Sequence, residues 1–298
     1  MRQLGTSLNA VHLREALEDD QSVHLVMELC EGGALLERVA RRAHSEASIA
    51  RIVRAILRFI AQCHAKNIVY RDVKPDNFLF LSADEDAPLK ATDFGLAIRH
   101  APHEPKLTSR SGTPAYMAPE LVMQCYDEKA DLWSVGMLAY QLLTGRFPFW
   151  DDVREETLAD VWKAVLSQPI DWSAPELEPL SPAARDLLER LLQRNPAMRP
   201  SAAEALEHEW LREGALESGV GSVPLAGSVV QRLQRYATYA HLKQVVLRLI
   251  TEQMRKEGRL PGVARSLRDL FARLDSDGNG ELSVDELAAG LREEVRGM

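Results

Sequence analysis

Hydrophobic and polar residues follow different periods along the chain, and each period predicts a different element. In "VHLREALEDDQSVHLVMEL", residues 11–29, two runs of β-forming residues flank an acidic turn, which predicts a hairpin. A short helical run follows over residues 34–41. Ser45 then precedes apolar residues at helical spacing, so we predict a helix that Ser45 caps and that ends near Lys66. Its apolar positions are Ile49, Ile52, Val53, Ile56, Phe59 and Ile60.

The second half of the chain is predicted to be mostly helical. Residues 99–120 contain many Pro, Ser, Thr and Gly residues, which is typical of an irregular loop, whereas residues 129 to about 210 have a helical pattern. Small residues at 217–227 mark the clearest linker. Beyond it, we predict a long amphipathic helix over 228–254 and a final helix–loop–helix.

Composition and charge indicate an ordinary soluble globular protein. Its 298 residues suggest about two domains, and 27% of them are charged. The net charge of −8 argues against a nucleic-acid partner, and no apolar run approaches the roughly 20 residues of a membrane span. The start of the chain shows neither a signal-peptide core nor a myristoylation glycine, and the three cysteines form no CxxC pair. We therefore expect a cytoplasmic or nuclear protein.

The stretch "IVYRDVKPDNFLF", residues 68–80, carries residue types that phosphoryl transfer requires. Asp72 would orient a hydroxyl and accept its proton, and Lys74 would offset charge on the transferred group. Asn77, together with Asp93 of a later "DFG", would hold Mg²⁺ against phosphate oxygens. Such a cluster in a loop is usually turn chemistry and solvated charge. The ordered motifs "DFG" and "APE" further along make that alternative the weaker one.

The stretch "DSDGNGELSVDE", residues 275–286, fits the EF-hand calcium loop at every informative position. The predicted calcium ligands are Asp275, Asp277, Asn279, Glu281 through its carbonyl, and Glu286 as a bidentate carboxylate. Gly280 permits the sharp turn between them. An ordinary acidic surface turn would not need this complete set of ligands. Because we find no second loop of this kind, we expect weaker binding than at a paired sensor site, or dimerisation.

Residues 9 to about 213 resemble a eukaryotic protein kinase domain from its fourth strand onward, through the motifs quoted above. The resemblance implies ATP and Mg²⁺ as cofactors, and protein substrates that are modified on Ser or Thr. Glu28 and Cys30 would offer hinge backbone groups to adenine, and Met27 would be the gatekeeper residue. Leu79 would form the floor of the adenine pocket.

The same resemblance implies supporting roles for other residues. Asp131, in "DLWSVG", would brace the catalytic loop. Arg199 would pair with Glu120 of "APE". Lys74 together with Thr113 matches the serine/threonine-specific pattern. "GTPAYMAPE" resembles the segment that receives the protein substrate.

Basic residues lie around the predicted helix at 228–254, as is typical of the target of a calmodulin-like lobe. A kinase-like region, a basic helix and an EF-hand in this order resemble the calcium-dependent protein kinases of plants, algae and protists. The resemblance implies a partial kinase domain at 9–213, a linker and autoinhibitory-type junction helix at 214–262, and a single EF-hand at 263–298 that contacts the junction helix. A helix simply packed on the kinase surface remains the alternative.

We therefore expect an α+β fold, mostly α, in which a kinase-like large lobe carries a remnant of the small-lobe sheet. An amphipathic junction helix and one EF-hand would follow it. Relatives of this kind carry four EF-hands and further kinase strands, so we expect a chain truncated at both ends.

Several positions depart from the kinase pattern. Tyr70 replaces the usual histidine, which is tolerable because that residue packs on Phe94. Ala34 stands where many relatives carry Glu, so a simple preference for basic substrates is not expected, although Asp76 offers one acidic contact. Arg71 permits control by phosphorylation of nearby hydroxyls, which are more often ordinary loop residues. These hydroxyls belong to Thr108, Ser109 and Ser111.

The first 65 residues lack a feature that ATP binding in kinases requires. They contain no lysine and only three glycines, so the glycine-rich loop and the phosphate-anchoring lysine are missing from this chain. Two hypotheses follow. The chain is a calcium-regulated serine/threonine kinase that is weak or inactive as this fragment, or it is a non-catalytic, calcium-responsive pseudokinase or scaffold.

Overall fold

Among the described residues, helices account for several times as many residues as strands, and the strands form two-stranded sheets. The computed structural model describes residues 1, 3–41, 44–150, 156–212 and 225–237. The chain divides into one unit at 1–237 and another at 238–298, and the second unit lies outside the described residues. Most of the predicted junction helix and all five predicted calcium ligands, Asp275, Asp277, Asn279, Glu281 and Glu286, lie outside them too.

The elements follow one another in the order that the sequence pattern predicts. The strands are β1 (Leu13–Glu18), β2 (Val23–Met27), β3 (Ile68–Val69), β4 (Phe78–Phe80), β5 (Leu89–Ala91) and β6 (Ile98–Arg99). The helices are α1 (Leu35–Ala40), α2 (Glu46–Ala65), α3 (Pro119–Val122), α4 (Lys129–Thr144), α5 (Leu158–Ser167), α6 (Pro182–Leu191) and α7 (Ala202–Leu206). Residues 227–237 are also helical. Within the described ranges, no helix is both long and apolar enough to cross a membrane.

β1 and β2 form the predicted antiparallel hairpin, with Glu18 opposite Val23 at its closed end. The acidic turn supplies its own hydrogen bonds. One carboxylate oxygen of Asp19 accepts the amide hydrogens of Gln21 and Ser22, each at 2.9 Å. An aspartate that binds the backbone two and three residues later stabilises a tight turn, which explains why this segment reverses direction here.

The hairpin leaves large apolar side chains exposed. Leu17, Val23, Leu25, Val26 and Met27 are between 39% and 64% exposed. Single exposed apolar residues are normal, but five on one hairpin, spread over both of its faces, are unusual. The predicted remnant of the small-lobe sheet therefore forms, but the described part of the chain does not cover it.

The hydrophobic core lies around α2 and α4. α2 begins as predicted, because the hydroxyl oxygen of Ser45 accepts the amide hydrogen of Ser48 at 3.2 Å. The predicted apolar face of α2 is buried, with Ile56 and Phe59 at its centre. α4 is buried along nearly its whole length and ends at Gly145, whose φ of 74° is a left-handed conformation that favours glycine. The expected α+β, mostly α fold is confirmed.

Two short strand pairs bring the predicted catalytic motifs together. β3 pairs with β6 and β4 pairs with β5, both antiparallel. "RDVKPDN" connects β3 to β4, and "DFG" connects β5 to β6. The amide of Thr92 donates to the carbonyl oxygen of Asn77 at 2.9 Å, just beyond the paired ends of β4 and β5. The two loops therefore lie side by side.

Glycine is required at position 32, where the hinge (residues 28–33) crosses the end of β4. The amide of Gly32 donates to the carbonyl oxygen of Phe80 at 2.9 Å, and a Cβ atom there would lie 2.1 Å from the carbonyl oxygen of Ser82. We expect Gly32→Ala to lower the free energy of unfolding by about 1–3 kcal/mol, because the added methyl group displaces backbone. Denaturant melts measure this. Gly227→Ala is the control, since nothing lies within 4 Å of its added Cβ; equal effects of the two changes would contradict the expectation.

Candidate active site

Asp131, in α4, fixes the backbone of the catalytic loop, residues 70–77. Its carboxylate accepts the amide hydrogens of Tyr70 at 2.9 Å and Arg71 at 2.8 Å, and it lies 2.9 Å from the ring nitrogen Nε2 of His64. Arg71 has a φ of 69°, a left-handed conformation that costs a non-glycine residue roughly 1 kcal/mol or more. The buried carboxylate offsets this strain, so the loop is held as the resemblance implies.

Two of the predicted catalytic side chains, Lys74 and Asn77, converge on a third, Asp72, and Thr113 joins them. Lys74 Nζ lies 2.7 Å from Asp72 Oδ2 and donates to Thr113 Oγ1 at 3.0 Å. The Thr113 hydroxyl donates to Asp72 Oδ1 at 2.9 Å. The side-chain amide of Asn77 donates to Asp72 Oδ2 and to the Asp72 carbonyl oxygen, both at 2.8 Å. Asp72 and Asn77 are only 6% and 5% exposed, so these contacts are weakly screened by water.

Asp93, the fourth predicted catalytic residue, lies next to Asn77 because the preceding residue, Thr92, is hydrogen-bonded to the Asn77 carbonyl. It is exposed, has a φ of 53°, and its Oδ1 accepts the amide hydrogen of Gly95 at 3.0 Å. Among the described residues, no hydrogen bond engages Asn77 Oδ1 or Asp93 Oδ2. An amide oxygen and a carboxylate oxygen are the hard ligands that Mg²⁺ prefers, so the pair fits the predicted metal.

Tyr70 fits where related kinases usually carry histidine. Its ring centroid lies 5.7 Å from that of Phe94, and Phe59 of α2 contacts both rings at 5.0 and 5.8 Å. The Tyr70 hydroxyl donates to the Thr92 carbonyl oxygen at 2.5 Å. Burial, reinforced by the nearby Asp72, raises the pKa of Tyr70 well above its ordinary value. The phenol therefore stays protonated, and the predicted packing of Tyr70 on Phe94 is confirmed.

The end of the hinge lies against β4: Phe80 donates its amide hydrogen to the Gly33 carbonyl oxygen at 3.0 Å, and Ala34, the next residue, is bridged to Leu79. The carboxylate of Glu28 lies 3.1 Å from Lys90 Nζ and accepts the amide hydrogen of His12 at 3.3 Å. Burial opposes ionisation of Glu28, but Lys90 and the His12 amide outweigh it, so the pKa of Glu28 is below its ordinary value. Burial, with the charge of Glu28 second, raises the pKa of the Cys30 thiol. The adenine contacts of Glu28, Cys30 and Leu79 stay predictions.

Lys90 is a residue that sequence reasoning missed. Within "LKA" of β5, a lysine between two apolar residues predicts a solvent-facing position. The lysine is instead buried like its neighbours Leu89 and Ala91, and it pairs with Glu28. Because β5 is buried on both faces, alternation carries no information here, and no local pattern indicates the partner.

The predicted ion pair between Arg199 and Glu120 is confirmed, and it is bidentate. The two nitrogen–oxygen distances are 2.5 and 2.8 Å, and the side chains are 0% and 4% exposed. Arg199 Nη1 also donates to the Lys129 carbonyl oxygen at 2.9 Å, and its guanidinium lies 5.2 Å from the ring centroid of Trp133. The pair fixes α3, and with it the "GTPAYMAPE" segment, against the core.

The C-terminal segment, residues 225–237, packs on the kinase-like unit. Val229 and Leu233 are buried, as the predicted apolar face requires. Arg232 Nη1 lies 3.1 Å from Glu176 Oε1. The first turns of the predicted junction helix therefore pack on the surface of the kinase-like unit, as the alternative interpretation of this helix predicts. The predicted contact between the helix and the EF-hand lies outside the described residues.

The same segment reaches the predicted substrate-binding loop. The ring centroid of Tyr236 lies 6.0 Å from that of Phe147, which lies 5.3 Å from that of Tyr116 in "GTPAYMAPE". The Tyr116 hydroxyl donates to Gln141 Oε1 at 2.7 Å. Burial first, and the neighbouring Tyr236 second, raise the pKa of Tyr116 well above its ordinary value. The segment therefore stands beside the loop that would receive a peptide.

Comparison with known proteins agrees with this geometry. The protein kinase domain family matches residues 1–211, and the EF-hand domain family matches residues 266–297. Calcium-dependent protein kinase 15 of Oryza sativa subsp. japonica is 39% identical over 292 residues, which cover 98% of this chain and 52% of the relative. Calcium-dependent protein kinase 34 of Arabidopsis thaliana is 38% identical over 292 residues, which cover 98% of this chain and 53% of that relative. Calcium-dependent protein kinase SK5 of Glycine max is 36% identical over 293 residues, which cover 98% of this chain and 55% of that relative.

The chain belongs to the protein kinase family. Within that family it is similar to the calcium-dependent protein kinases, so the resemblance predicted from the order of its motifs is confirmed. The chain spans about half the length of the curated relatives that it matches.

Proposed function

We propose that the chain carries the phosphoryl-transfer centre of a calcium-regulated serine/threonine protein kinase, which moves the γ-phosphate of ATP to a protein hydroxyl. The observation that carries the proposal is the convergence of Asp72, Lys74, Asn77 and Thr113 at distances of 2.7–3.0 Å. A carboxylate, a cation and an amide oxygen in one poorly hydrated cluster can act as base, charge stabiliser and metal ligand.

Each side chain has a separate task in this mechanism. Asp72 accepts a hydrogen bond from the substrate hydroxyl, orients it towards phosphorus, and takes its proton as the new bond forms. Lys74 offsets the charge on the transferred group, and Thr113 holds Asp72 and Lys74 in position. Mg²⁺ held by Asn77 and Asp93 would neutralise charge on the ATP phosphates.

A transfer assay tests the proposal directly. The purified chain is incubated with Mg²⁺, a mixture of Ser- and Thr-containing peptides, and ATP labelled on its γ-phosphate, with calcium or with a chelator. Label on serine or threonine that disappears in Asp93→Ala supports the kinase. Label transfer that persists undiminished in folded Asp93→Ala contradicts it.

Activity of this polypeptide alone is proposed to be weak or absent. The first lysine is Lys66, so residues 1–65 supply no lysine to anchor the phosphates as in complete kinases. The exposed apolar residues of β1 and β2 support the same conclusion, because the sheet offers no cover for a nucleotide. These observations also favour the second candidate, a non-catalytic calcium-responsive scaffold. Tight binding of Mg²⁺ and ATP with turnover excludes that candidate.

Calcium regulation is proposed to act through the C-terminal segment. The segment packs beside Tyr116 through Tyr236, and its first amide, that of Leu225, donates to the His44 carbonyl oxygen at 2.8 Å. Calcium held by Asp275, Asp277, Asn279, Glu281 and Glu286 would draw the junction helix away from this surface. Protein substrates would then reach the loop at 112–120.

We expect Leu233→Glu to release the C-terminal segment without calcium, because the buried side chain would become a buried charge. Hydrogen–deuterium exchange of residues 225–237 should rise about tenfold or more, and calcium should produce a similar rise in the unsubstituted chain. Gln231→Glu is the control, since it adds the same charge at an exposed position of the same helix. Unchanged exchange in Leu233→Glu would contradict the packing, and unchanged exchange with calcium would contradict the regulation.

A cytoplasmic or nuclear location is also proposed. It is supported by the free thiols of Cys30, Cys63 and Cys125, since reduced cysteines are typical of these compartments.

A further inference from the structure

The edge of β2 that faces away from β1 is open. The backbone groups of Ser22 and Glu28, which flank β2, form hydrogen bonds towards β1 at 3.0 and 2.9 Å. Because backbone groups alternate in direction along a strand, those of Val23, Leu25 and Met27 point away from β1. Within the described ranges, no backbone hydrogen bond joins these three residues to a further segment. They therefore offer a row of donors and acceptors that another strand could pair with.

The two strands of the hairpin differ in how well they are protected against such pairing. β1 carries the charged residues Arg14, Glu15 and Glu18, and its register with β2 shifts between Leu13 and Glu15. Charges and bulges of this kind discourage the addition of another strand. β2 has the sequence "VHLVM", which contains no Asp, Glu, Lys, Arg or Pro. The unprotected edge of the hairpin is therefore that of β2.

β2 is complementary to a second copy of itself. An antiparallel pairing centred on Leu25 places the two Leu25 side chains opposite each other and Val23 opposite Met27. These side chains lie on one face of the strand and are 50%, 64% and 39% exposed, so pairing joins them into one apolar row. On the other face, His24 lies opposite Val26. The acidic turns of the two copies lie at opposite ends of the paired strands, so this register opposes no like charges.

We propose that the open edge of β2 is a dimer interface, at which two copies of this chain pair their β2 strands antiparallel about Leu25. A two-stranded hairpin is only marginally stable in water, whereas three or more strands with an apolar face are stable. Pairing gives one four-stranded sheet in the order β1, β2, β2, β1, with the charged β1 strands at both outer edges. An edge contact of this kind is small, so the expected dissociation constant is roughly 10–100 μM.

Pairing at this edge also restrains the hinge. β2 ends at Met27, and the hinge, residues 28–33, follows directly. The far end of the hinge is held on β4, where the amide of Gly32 donates to the Phe80 carbonyl oxygen at 2.9 Å. A paired β2 would fix the near end as well. The interface goes beyond the proposed kinase function and does not depend on it, because the pairing requires neither nucleotide nor phosphate transfer.

Sedimentation equilibrium of the full 298-residue chain tests the interface. The measurement is made in a calcium chelator, which removes any association through a calcium-loaded EF-hand. We expect the average mass to rise from that of one chain towards that of two between about 5 and about 500 μM. Leu25→Lys should weaken the dimer about tenfold or more, because two like charges would meet across the pair. Leu17→Lys is the matched control. It adds the same charge on β1, where Leu17 is 49% exposed against 50% for Leu25, and should leave the mass curve unchanged.

A mixture of two variants tests the register. Leu25→Lys and Leu25→Glu should each be monomeric alone and should associate when mixed, because opposite charges then lie across from each other. This association also shows that both variants are folded. A chain that stays monomeric at about 500 μM would overturn the proposal, and so would equal weakening by Leu17→Lys and Leu25→Lys. If the unsubstituted chain dimerises but the mixture does not, the two Leu25 side chains do not face each other and the proposed interface is wrong.

Discussion

Asp72→Asn is expected to lower phosphoryl transfer by about a thousandfold, which takes a weakly active chain to the background of the assay. Asparagine keeps the shape of the side chain and an acceptor for the Thr113 hydroxyl, which donates to Oδ1 at 2.9 Å. Its amide group cannot take the proton of a substrate hydroxyl. The change also removes the negative partner that lies 2.7 Å from Lys74 Nζ. Incorporation of labelled γ-phosphate into peptides over a long time course measures the loss.

The matched control for this change is Asp86→Asn. Asp86 lies exposed in the turn between β4 and β5, so its replacement removes one carboxylate from the surface and should leave the rate unchanged. Thermal melts of both variants establish that they are folded. Undiminished transfer by folded Asp72→Asn would place the catalytic base elsewhere and remove the central element of the proposed mechanism.

Arg199→Leu is expected to lower the free energy of unfolding of the kinase-like unit by about 3–5 kcal/mol. The reason is the partner left behind: Glu120 would keep a carboxylate in a site where both side chains are now at most 4% exposed. The carbonyl oxygen of Lys129 would lose its hydrogen bond at the same time. Denaturant melts followed by tryptophan fluorescence suit this change, since Trp133 lies under the guanidinium.

Arg190→Leu provides the comparison. Arg190 pairs with Asp186 at 2.9 Å on the surface of α6, where the two side chains are 58% and 43% exposed. Exposed pairs of this kind contribute less than about 1 kcal/mol. If the two arginine substitutions cost the same, the bidentate pair does not stabilise the unit in the way that its burial implies.

Local sequence patterns suffice where an element has one buried face and a clear end. α2 was predictable because Ser45 caps it and because its apolar residues recur at helical spacing. The hairpin was predictable because its acidic turn supplies hydrogen bonds to its own backbone. α4 has no such signature. It is buried on all sides, so its apolar residues show little periodicity and only its place in a long helical region was predictable.

The chemistry of the centre was also available from sequence, because Asp72, Lys74 and Asn77 come from one short loop. Motif order added Asp93, and family resemblance added the pair of Glu120 with Arg199. These features depend on residue identity and spacing, which a linear chain displays. The spacing of residues in the sequence does not show how deeply a side chain is buried, and burial determines how strongly each charged contact affects stability.

Distances between segments far apart in the chain required the folded molecule. The sequence offered three hydroxyls near Arg71, and only the bridge between Leu107 and Tyr126 places Ser109 against it. The pair of buried Lys90 with half-buried Glu28 was not predictable for the same reason, since it joins β5 to the hinge, about 60 residues apart in the chain. Residue types and short spacings indicate which chemical groups this chain carries at its catalytic centre. Long-range packing selects the groups that meet, because contact between distant segments depends on the shape of the whole core and not on any local pattern.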